Sequence, residues 1–280
     1  MKFSRPYLEL LRLPNLFTLP GDILVGWCLS GMRGWFPLCG ILASLCLYAC
    51  GLFLNDFFDA DIDAKERPER PIPSGRIPKK EVLHYALLLA AIGILLAGRG
   101  ALVAILLLAL IFFYNRIAKH LRAVGVVTMG LCRGMNIFLG VAVAWPIGEM
   151  PFPPVAIHAA VFFTLYILLV SIIAKDEAVP HLPLNRLLKW SPLILVLSLI
   201  PWSWWQGFSP YWLIFVCVTL IVLTLHQKRS IQQHVGSLLR LLIPLQLLWC
   251  LLIAPTAPFI ILFALLFLGA ILTARRYAGS

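Results

Sequence analysis

Four carboxylates lie within eight consecutive positions of a chain that is otherwise strongly apolar. Asp56, Asp59, Asp61 and Asp63 follow Asn55, in a protein with only 12 Asp and Glu residues among 280. Positions four apart on a helix differ by about 40° around its axis, so Asn55, Asp59 and Asp63 form one polar stripe. Asp56 falls beside the stripe, and Asp61 points to a different face. These oxygen ligands suit a Mg²⁺ ion that also binds substrate phosphates.

Basic and proline residues follow the carboxylates at once, at Arg67, Pro68, Arg70, Pro71 and Pro73. The prolines favour an extended chain after the helix, which keeps both arginines close to the acids. A guanidinium group makes forked contacts with phosphate oxygens. The combination predicts a site for a metal-bound diphosphate at a membrane surface.

The elements that must position these residues are membrane helices. The chain is 61% hydrophobic and 12% charged, which is about half the charged share of soluble proteins. We predict one all-α domain over residues 1–280, a polytopic helical bundle. Candidate membrane helices lie at 14–32, 36–54, 82–98, 100–114, 123–144, 155–174, 190–206, 210–226, 238–254 and 257–273. All except the short segment 100–114 are long enough to cross a bilayer.

The net charge of +11 follows the same topology. With the N-terminus inside, 20 of the 23 Lys and Arg residues fall in six cytoplasmic pieces, 1–13, 55–81, 115–122, 175–189, 227–240 and 274–280. This asymmetry obeys the positive-inside rule and predicts a multi-pass protein of the cell membrane with its site loops in the cytoplasm. The expected partners of this basic charge are anionic headgroups and substrates, and no nucleic acid.

Further candidate residues come from other cytoplasmic pieces and from the spans. Tyr114 and Lys119 lie at one cytoplasmic loop, and Asp176 lies at another. Because these loops share a membrane face with the acidic cluster, they can converge over one cavity. Asp22 and Arg133 lie within spans, where ionisable groups are costly and mark functional sites. They either orient an acceptor or pair with each other across the bundle.

Three motifs together resemble the UbiA-type intramembrane prenyltransferases. The first aspartate-rich motif of that family is similar to Asn55-Asp56-x-x-Asp59-x-x-x-Asp63 followed by Arg67-Pro68-x-Arg70-Pro71-x-Pro73-Ser74-Gly75. Its tyrosine-lysine loop motif looks like Tyr114 followed by Lys119, and its fifth helix looks like Arg133-Gly134-Met135-Asn136. The order of the spans resembles the family over nearly the whole chain, although nine helices are typical there and ten are counted here.

The resemblance implies a bundle of nine to ten transmembrane helices around a central cavity. It implies Mg²⁺-dependent transfer of an isoprenyl group from an isoprenyl diphosphate to an aromatic or lipid-like acceptor, among membrane lipids. The residues it would assign to catalysis are Asn55, Asp56, Asp59, Asp63, Arg67, Arg70, Tyr114, Lys119 and Asp176. The metal ligands among them would be Asp59, Asp63 and Asp176. The candidate residues for binding the acceptor are Asp22, Arg133 and Asn136.

One departure from the family pattern leaves a second function open. The second family motif usually has two aspartates four residues apart, whereas here Asp176 is followed at that distance by Pro180. Glu177 replaces the missing ligand only with a shifted backbone, because neighbouring helix positions face different ways. The alternative is a non-catalytic relative that binds or transports a prenylated or amphipathic metabolite. A phospholipid-type CDP-alcohol transferase is disfavoured, because its acidic pair with an adjacent glycine and its second run of three aspartates are missing.

Overall fold

The computed structural model describes residues 7, 10–11, 13–32, 37–144, 152–177, 186–199, 231–253 and 257–276, and most of these residues are helical, whereas residues 67–78 form turns. These residues contain no strand, which confirms the predicted all-α fold. The α-helices are α1 (Leu13–Leu16), α2 (Leu19–Leu29), α3 (Leu38–Glu66), α4 (Lys79–Ala97), α5 (Ala101–Arg116), α6 (Arg122–Ala144), α7 (Pro154–Glu177), α8 (Arg186–Leu197), α9 (Ile231–Ile253) and α10 (Ala257–Arg276).

Several stretches have the length and composition of a polytopic membrane protein. Within the described residues, five are long and apolar enough to cross a membrane: Leu38–Glu66, Lys79–Arg116, Arg122–Ala144, Pro154–Lys175 and Gln233–Leu251. Two shorter apolar helices cover Leu13–Leu29 and Pro258–Ala274. The predicted count of nine to ten transmembrane helices is therefore not confirmed. The predicted span 210–226 lies outside the described residues.

The stretch Lys79–Arg116 contains two antiparallel helices, α4 and α5, joined by a tight turn at Gly98. Gly98 has a φ of 52°, which glycine adopts without steric cost, and a 3-10 turn then leads into α5. Lys79 at the start of α4 bonds Asp61 near the end of α3. Arg116 at the end of α5 lies over an aromatic ring of that same part of α3. The start of α4 and the end of α5 therefore lie beside the same end of α3. This is expected if α4 and α5 are two separate spans.

Helix α3 extends well beyond its predicted span, which ends at residue 54. It continues without interruption to Glu66, about three turns farther. The alignment of the acids depends on this continuation through Asp63, and the structure meets that condition. The helix ends where the proline-containing segment begins, and the backbone N–H of Arg67 donates to the carbonyl of Asp63 at 2.8 Å.

Helices α2 and α6 cross in close backbone contact. A β-carbon at Gly26 would lie 2.3 Å from the carbonyl oxygen of Ile137, and one at Gly140 would lie 2.5 Å from the carbonyl oxygen of Ile23. No side chain fits at either distance, so glycine permits the contact, as small residues do between membrane helices. The close approach brings the polar side chains of the two helices within hydrogen-bonding reach.

Two apolar clusters support the bundle. The larger is formed mainly by α2, α6, α7 and α9 and includes the fully buried Trp249, Tyr166 and Phe163. The smaller lies between α3 and α4. Leu108 and Ile111 of α5 contact both clusters, so α5 connects the two halves of the bundle.

The N-terminal segment is attached to α4 through Tyr7. Its hydroxyl donates to a carboxylate oxygen of Glu81 at 2.6 Å, and its ring meets the edge of Tyr85. The hydrogen bond to Glu81 raises the pKa of Tyr7 to about 12. Tyr7 therefore stays a neutral hydrogen-bond donor throughout the physiological pH range.

Candidate active site

The final turns of α3 carry the acidic cluster, and each clustered carboxylate has a basic partner. Asp59 Oδ1 lies 2.5 Å from Lys119 Nζ. Asp63 Oδ2 lies 2.8 Å from Arg70 Nη1, and Asp56 Oδ1 lies 3.4 Å from the same nitrogen. These cations offset the repulsion between carboxylates that share a helix face. The structure thus brings together Asp56, Asp59, Asp63, Arg70 and Lys119, as the sequence predicts.

The basic partners come from two connecting segments. Arg70 is held in the loop after α3, where the Ser74 hydroxyl donates to its carbonyl oxygen at 2.6 Å. Lys119 lies in a 3-10 turn between α5 and α6 and its side chain is 10% exposed. Arg67 differs from these two. It is exposed at the end of α3 and forms no ion pair with another residue in the described ranges.

Two further polar residues in the last turns of α3, Asn55 and Asp61, differ in their relation to the cluster. Asn55 donates to Asp56 Oδ1 at 3.3 Å and so belongs to the cluster. Asp61 lies apart from it, because its side chain is 90% exposed and pairs with Lys79 at 3.3 Å. The predicted helix stripe explains this difference. Asp61 therefore provides a control position on the same helix.

A cavity of about 410 Å³ opens beneath the acidic cluster. Asn55 and Tyr114 belong to its wall near the cluster, and Ser171 and Ala174 of α7 also line it. Apolar side chains from α2, α3, α5, α6, α7 and α9 form most of the remaining wall: Leu19, Leu52, Leu107, Ile111, Met129, Ile167, Val170, Val235, Leu239 and Leu242. A charged cluster next to a largely apolar, partly open cavity suits a ligand with an anionic head and a hydrocarbon portion.

A buried polar network forms the inner end of the cavity. Arg133 Nε lies 2.9 Å from Asp22 Oδ2, so these two residues pair across the bundle. Asn136 donates to Asp22 Oδ2 at 2.8 Å. The same amide accepts a hydrogen bond of 2.8 Å from Ser44 Oγ, and Gln246 Nε2 donates to Asp22 Oδ1 at 2.6 Å. The network joins four helices, α2, α3, α6 and α9.

Sequence reasoning missed three members of this neighbourhood: Thr18, Ser44 and Gln246. Arg133 donates to the Thr18 hydroxyl at 3.1 Å and to its carbonyl at 2.8 Å. Each of the three is a polar residue inside an apolar stretch, which is an indicator of function or of helix association in membranes. That indicator was available in the sequence, but it does not name the partners.

Asp176 lies in the last turn of α7, a helix whose earlier residues Ser171 and Ala174 line the cavity. The position of its side chain is outside the described part of the structure. Among the described residues, no three His, Cys, Asp or Glu side chains are grouped as a metal site. The predicted ligand set of Asp59, Asp63 and Asp176 therefore remains a prediction.

The oxygen donors of the cluster nevertheless suit Mg²⁺. That ion usually takes one or two protein carboxylates and completes its coordination with water and phosphate oxygens. Asp56 and Asp63 already direct oxygens at one cationic nitrogen of Arg70. The carboxylates of Asp56 and Asp63 thus converge on one position that a cation occupies. The sequence instead predicted Asp59 as the partner of Asp63 in binding the metal.

Comparison with known proteins agrees with this geometry. The UbiA prenyltransferase family model matches residues 17–241. Digeranylgeranylglyceryl phosphate synthase from Methanopyrus kandleri is 34% identical over 165 residues, which cover 56% of this chain and 59% of that protein. The chain thus matches little more than half the length of such curated relatives.

Two solved structures show the same fold. A UbiA homolog from Aeropyrum pernix K1, in its apo form, has a TM-score of 0.58 and 17% identity, and the match covers 93% of this chain and 98% of that one. A UbiA homolog from Archaeoglobus fulgidus bound to GPP and Mg²⁺ has a TM-score of 0.51 and 17% identity, with 95% and 98% covered. Since the family model spans most of the sequence, the chain belongs to the UbiA prenyltransferase family.

Proposed function

We propose that this protein is a membrane-embedded, Mg²⁺-dependent prenyltransferase that moves an isoprenyl group from an isoprenyl diphosphate to a small acceptor. The observation that carries the proposal is the position of the charged cluster next to a largely apolar cavity, whose wall includes Asn55 of the same helix turn. The cluster provides both signs of charge, which a metal-bound diphosphate requires. The cavity provides space for the isoprenyl carbon that is transferred and for the acceptor.

In this reaction the bond between the allylic carbon and the diphosphate oxygen breaks, and its electron pair leaves with the diphosphate. Asp56, Asp59 and Asp63 would hold Mg²⁺, which supplies Lewis-acid stabilisation of the leaving group. Arg70 and Lys119 add positive charge beside the carboxylates, which stabilises the charge that grows on the diphosphate oxygens. Arg67, which is exposed at the end of α3, would contact the outer phosphate.

The cavity wall would protect the allylic cation from water until the acceptor attacks. Its apolar residues exclude solvent, and Tyr114 presents an aromatic ring near the cluster, where ring electrons favour a cation. The acceptor forms a bond to the allylic carbon and loses a proton. We further propose that Asp176 contributes to the diphosphate site. The cluster faces the cytoplasm of the cell membrane, in a bundle of nine to ten transmembrane helices.

The names of the relatives and the ligands bound in a solved homolog support this assignment. The solved homolog from Archaeoglobus fulgidus holds GPP and Mg²⁺. The curated relatives carry the name of a synthase of a diprenylated glyceryl phosphate. These names favour an isoprenyl diphosphate as donor, and they leave the acceptor of this chain to be found.

The decisive measurement is the release of pyrophosphate from labelled geranylgeranyl diphosphate by purified protein in vesicles with Mg²⁺ and a panel of phenolic and glyceryl acceptors. We expect Asp59→Asn and Asp63→Asn to lower the rate by roughly 100-fold or more, because they remove carboxylates that would hold the Mg²⁺ ion and with it the stabilisation of the leaving group. Asp61→Asn, a matched change on the same helix, should remain within about twofold of the unchanged protein. Unaltered release in the first two variants would remove the assignment.

A second function is favoured by Pro180, which stands where the family usually has an aspartate. A non-catalytic protein would bind the isoprenyl diphosphate and carry a prenylated metabolite without chemistry. The two functions differ in one assay. A binder would quench its tryptophan fluorescence on adding geranylgeranyl diphosphate, lose this response in Asp63→Asn, and release no pyrophosphate with any acceptor.

A further inference from the structure

The cavity contains very little charge of its own. Among the described residues that line it, Arg133 is the only one with a charged side chain. The charged residues of the acidic cluster and its basic partners do not line the cavity. The neutral Asn55 is the member of the cluster that does. The electrostatic character of the inner cavity therefore depends on how the charge of Arg133 is balanced.

Asp22 cancels that charge from behind the cavity wall. It is fully buried, does not line the cavity, and lies 2.9 Å from Arg133 Nε. Asn136 and Gln246 also donate to its two oxygens, at 2.8 and 2.6 Å. Donors on both oxygens favour the ionised carboxylate. Asp22 and Arg133 thus form a compensated pair, and the inner end of the cavity has no net charge.

Arg133 still offers hydrogen-bond donors to a ligand. A guanidinium group has five N–H donors. One terminal nitrogen donates to the Thr18 hydroxyl and the other to the Thr18 carbonyl. Nε forms an ion pair with Asp22 at 2.9 Å, but its N–H is not aligned as a hydrogen bond. One N–H therefore remains on each terminal nitrogen without an acceptor among the described residues. The side chain is 11% exposed, and the space beside it is the cavity.

We propose that the inner end of the cavity binds the polar head of an uncharged acceptor, through a carbonyl or hydroxyl oxygen that accepts the remaining N–H donors of Arg133. Asp22 is a positioning residue: it orients the guanidinium and cancels its charge without touching the acceptor. This inference rests on the proposed function, and it deepens that function by naming the charge class of the acceptor.

An anionic acceptor head does not fit this site. A carboxylate or phosphate would bring a negative charge into a largely apolar cavity in which Arg133, the one cation among the described lining residues, already has a partner. Burying an uncompensated charge costs far more than burying a neutral hydrogen-bonded group. A neutral phenol, quinol, amide or alcohol loses little on entering, because its oxygen gains donors from Arg133.

The test compares two probes that differ only in charge, 4-hydroxybenzamide and 4-hydroxybenzoate. Their binding is measured by calorimetry on the full-length protein with Mg²⁺ and geranylgeranyl thiodiphosphate, a slowly reacting donor analogue. We expect the amide to bind at least about tenfold more tightly than the carboxylate, a difference of about 1.4 kcal/mol. Equal or tighter binding of the carboxylate, or no measurable binding of the amide, would overturn the proposal.

A variant of the positioning residue should invert the preference. Asp22→Asn leaves the charge of Arg133 without compensation, so the carboxylate probe should gain roughly tenfold or more relative to the amide. The double variant Asp22→Asn with Asn136→Asp keeps one carboxylate in the network and transfers it from position 22 to position 136. This variant should again prefer the amide. A purely structural role of Asp22 would weaken both probes together, which contradicts the proposal.

The two proposals fail in different ways. The binding of the two probes is compared in the unchanged protein, so the result depends neither on catalysis nor on whether a variant folds. A preference for the neutral probe without pyrophosphate release would retain the site and remove the transferase function. Pyrophosphate release that depends on a glyceryl phosphate ether, an anionic acceptor, would retain the function and overturn this inference.

Discussion

At the scale of single residues, the candidate site depends on shared ion pairs. Arg70 Nη1 contacts both Asp56 and Asp63, so one guanidinium compensates two carboxylates. Asp63 is 8% exposed and Arg70 is 25% exposed in their side chains, which places the pair between a surface and a buried ion pair. Removing the cation leaves two neighbouring acids without compensation, and a divalent ion is the natural substitute.

Arg70→Ala should therefore make the protein depend on magnesium for stability. We expect a loss of about 1–3 kcal/mol in the free energy of unfolding, less than for a fully buried pair. Millimolar Mg²⁺ should restore more of the thermal stability of this variant than it adds to the unchanged protein. The measurement is thermal unfolding in detergent with and without Mg²⁺.

Arg76→Ala is the matched control for that experiment. Arg76 lies in the same loop, is exposed, and donates to the Glu69 carbonyl at 2.6 Å and to the Ser74 hydroxyl at 3.0 Å. Its removal should leave the magnesium response unchanged. An identical magnesium response in all three proteins would contradict the idea that the carboxylates next to Arg70 are metal ligands.

At the scale of elements, the crossing of α2 and α6 positions the inner network. The backbones meet at Gly26 and Gly140, and Asp22 and Arg133 lie about one turn or two from these contacts on their helices. Any increase in the helix separation moves the carboxylate away from the guanidinium. The packing of two glycines is thus coupled to the electrostatics of the cavity.

Gly140→Ala should lower the thermal stability, because the added methyl group meets the backbone of Ile23 and forces the helices apart. Overpacking of this kind costs about 1–3 kcal/mol. Gly236→Ala in α9 is the control, since a β-carbon there would meet nothing closer than 3.6 Å. It should be neutral or add up to about 1 kcal/mol through helix propensity. Equal melting temperatures of the two variants would refute the close crossing.

At the scale of the whole molecule, the site lies at one end of the bundle. The ends of α3 and α5 and the start of α4 meet there, together with the loops that hold Arg70 and Lys119. The turn at Gly98 lies at the other end of α4 and α5. If the positive-inside rule sets the orientation, the first end faces the cytoplasm.

Cysteine labelling tests this orientation. Ser74→Cys and Arg99→Cys place thiols at exposed positions on the two ends, in a background whose native cysteines are replaced. A membrane-impermeant maleimide should label the first in inside-out vesicles and the second in intact cells. Labelling of both from one side would contradict a membrane-spanning α4, which lies between the two positions, and reversed labelling would contradict the orientation.

Much of the cluster was predictable, because its members are close in sequence on a regular element. The helix period places Asp59 and Asp63 on one face and Asp61 on another, and the side-chain contacts agree with that division. The tyrosine-lysine motif predicted a role for Lys119 next to the acids. The all-α fold likewise followed from apolar stretches of membrane-spanning length, whereas the number of spans did not emerge from the described residues.

The sequence by itself determined the helical class, the family resemblance and the acidic stripe, because composition and helix period are local properties. Only the tertiary structure decided that Arg70 joins Asp63 to Asp56, and that Gln246 bonds Asp22 across 224 positions of sequence. Contacts between distant positions depend on how helices cross, and the crossing depends on packing along their whole length. The neutral inner end of the cavity is a result of that packing.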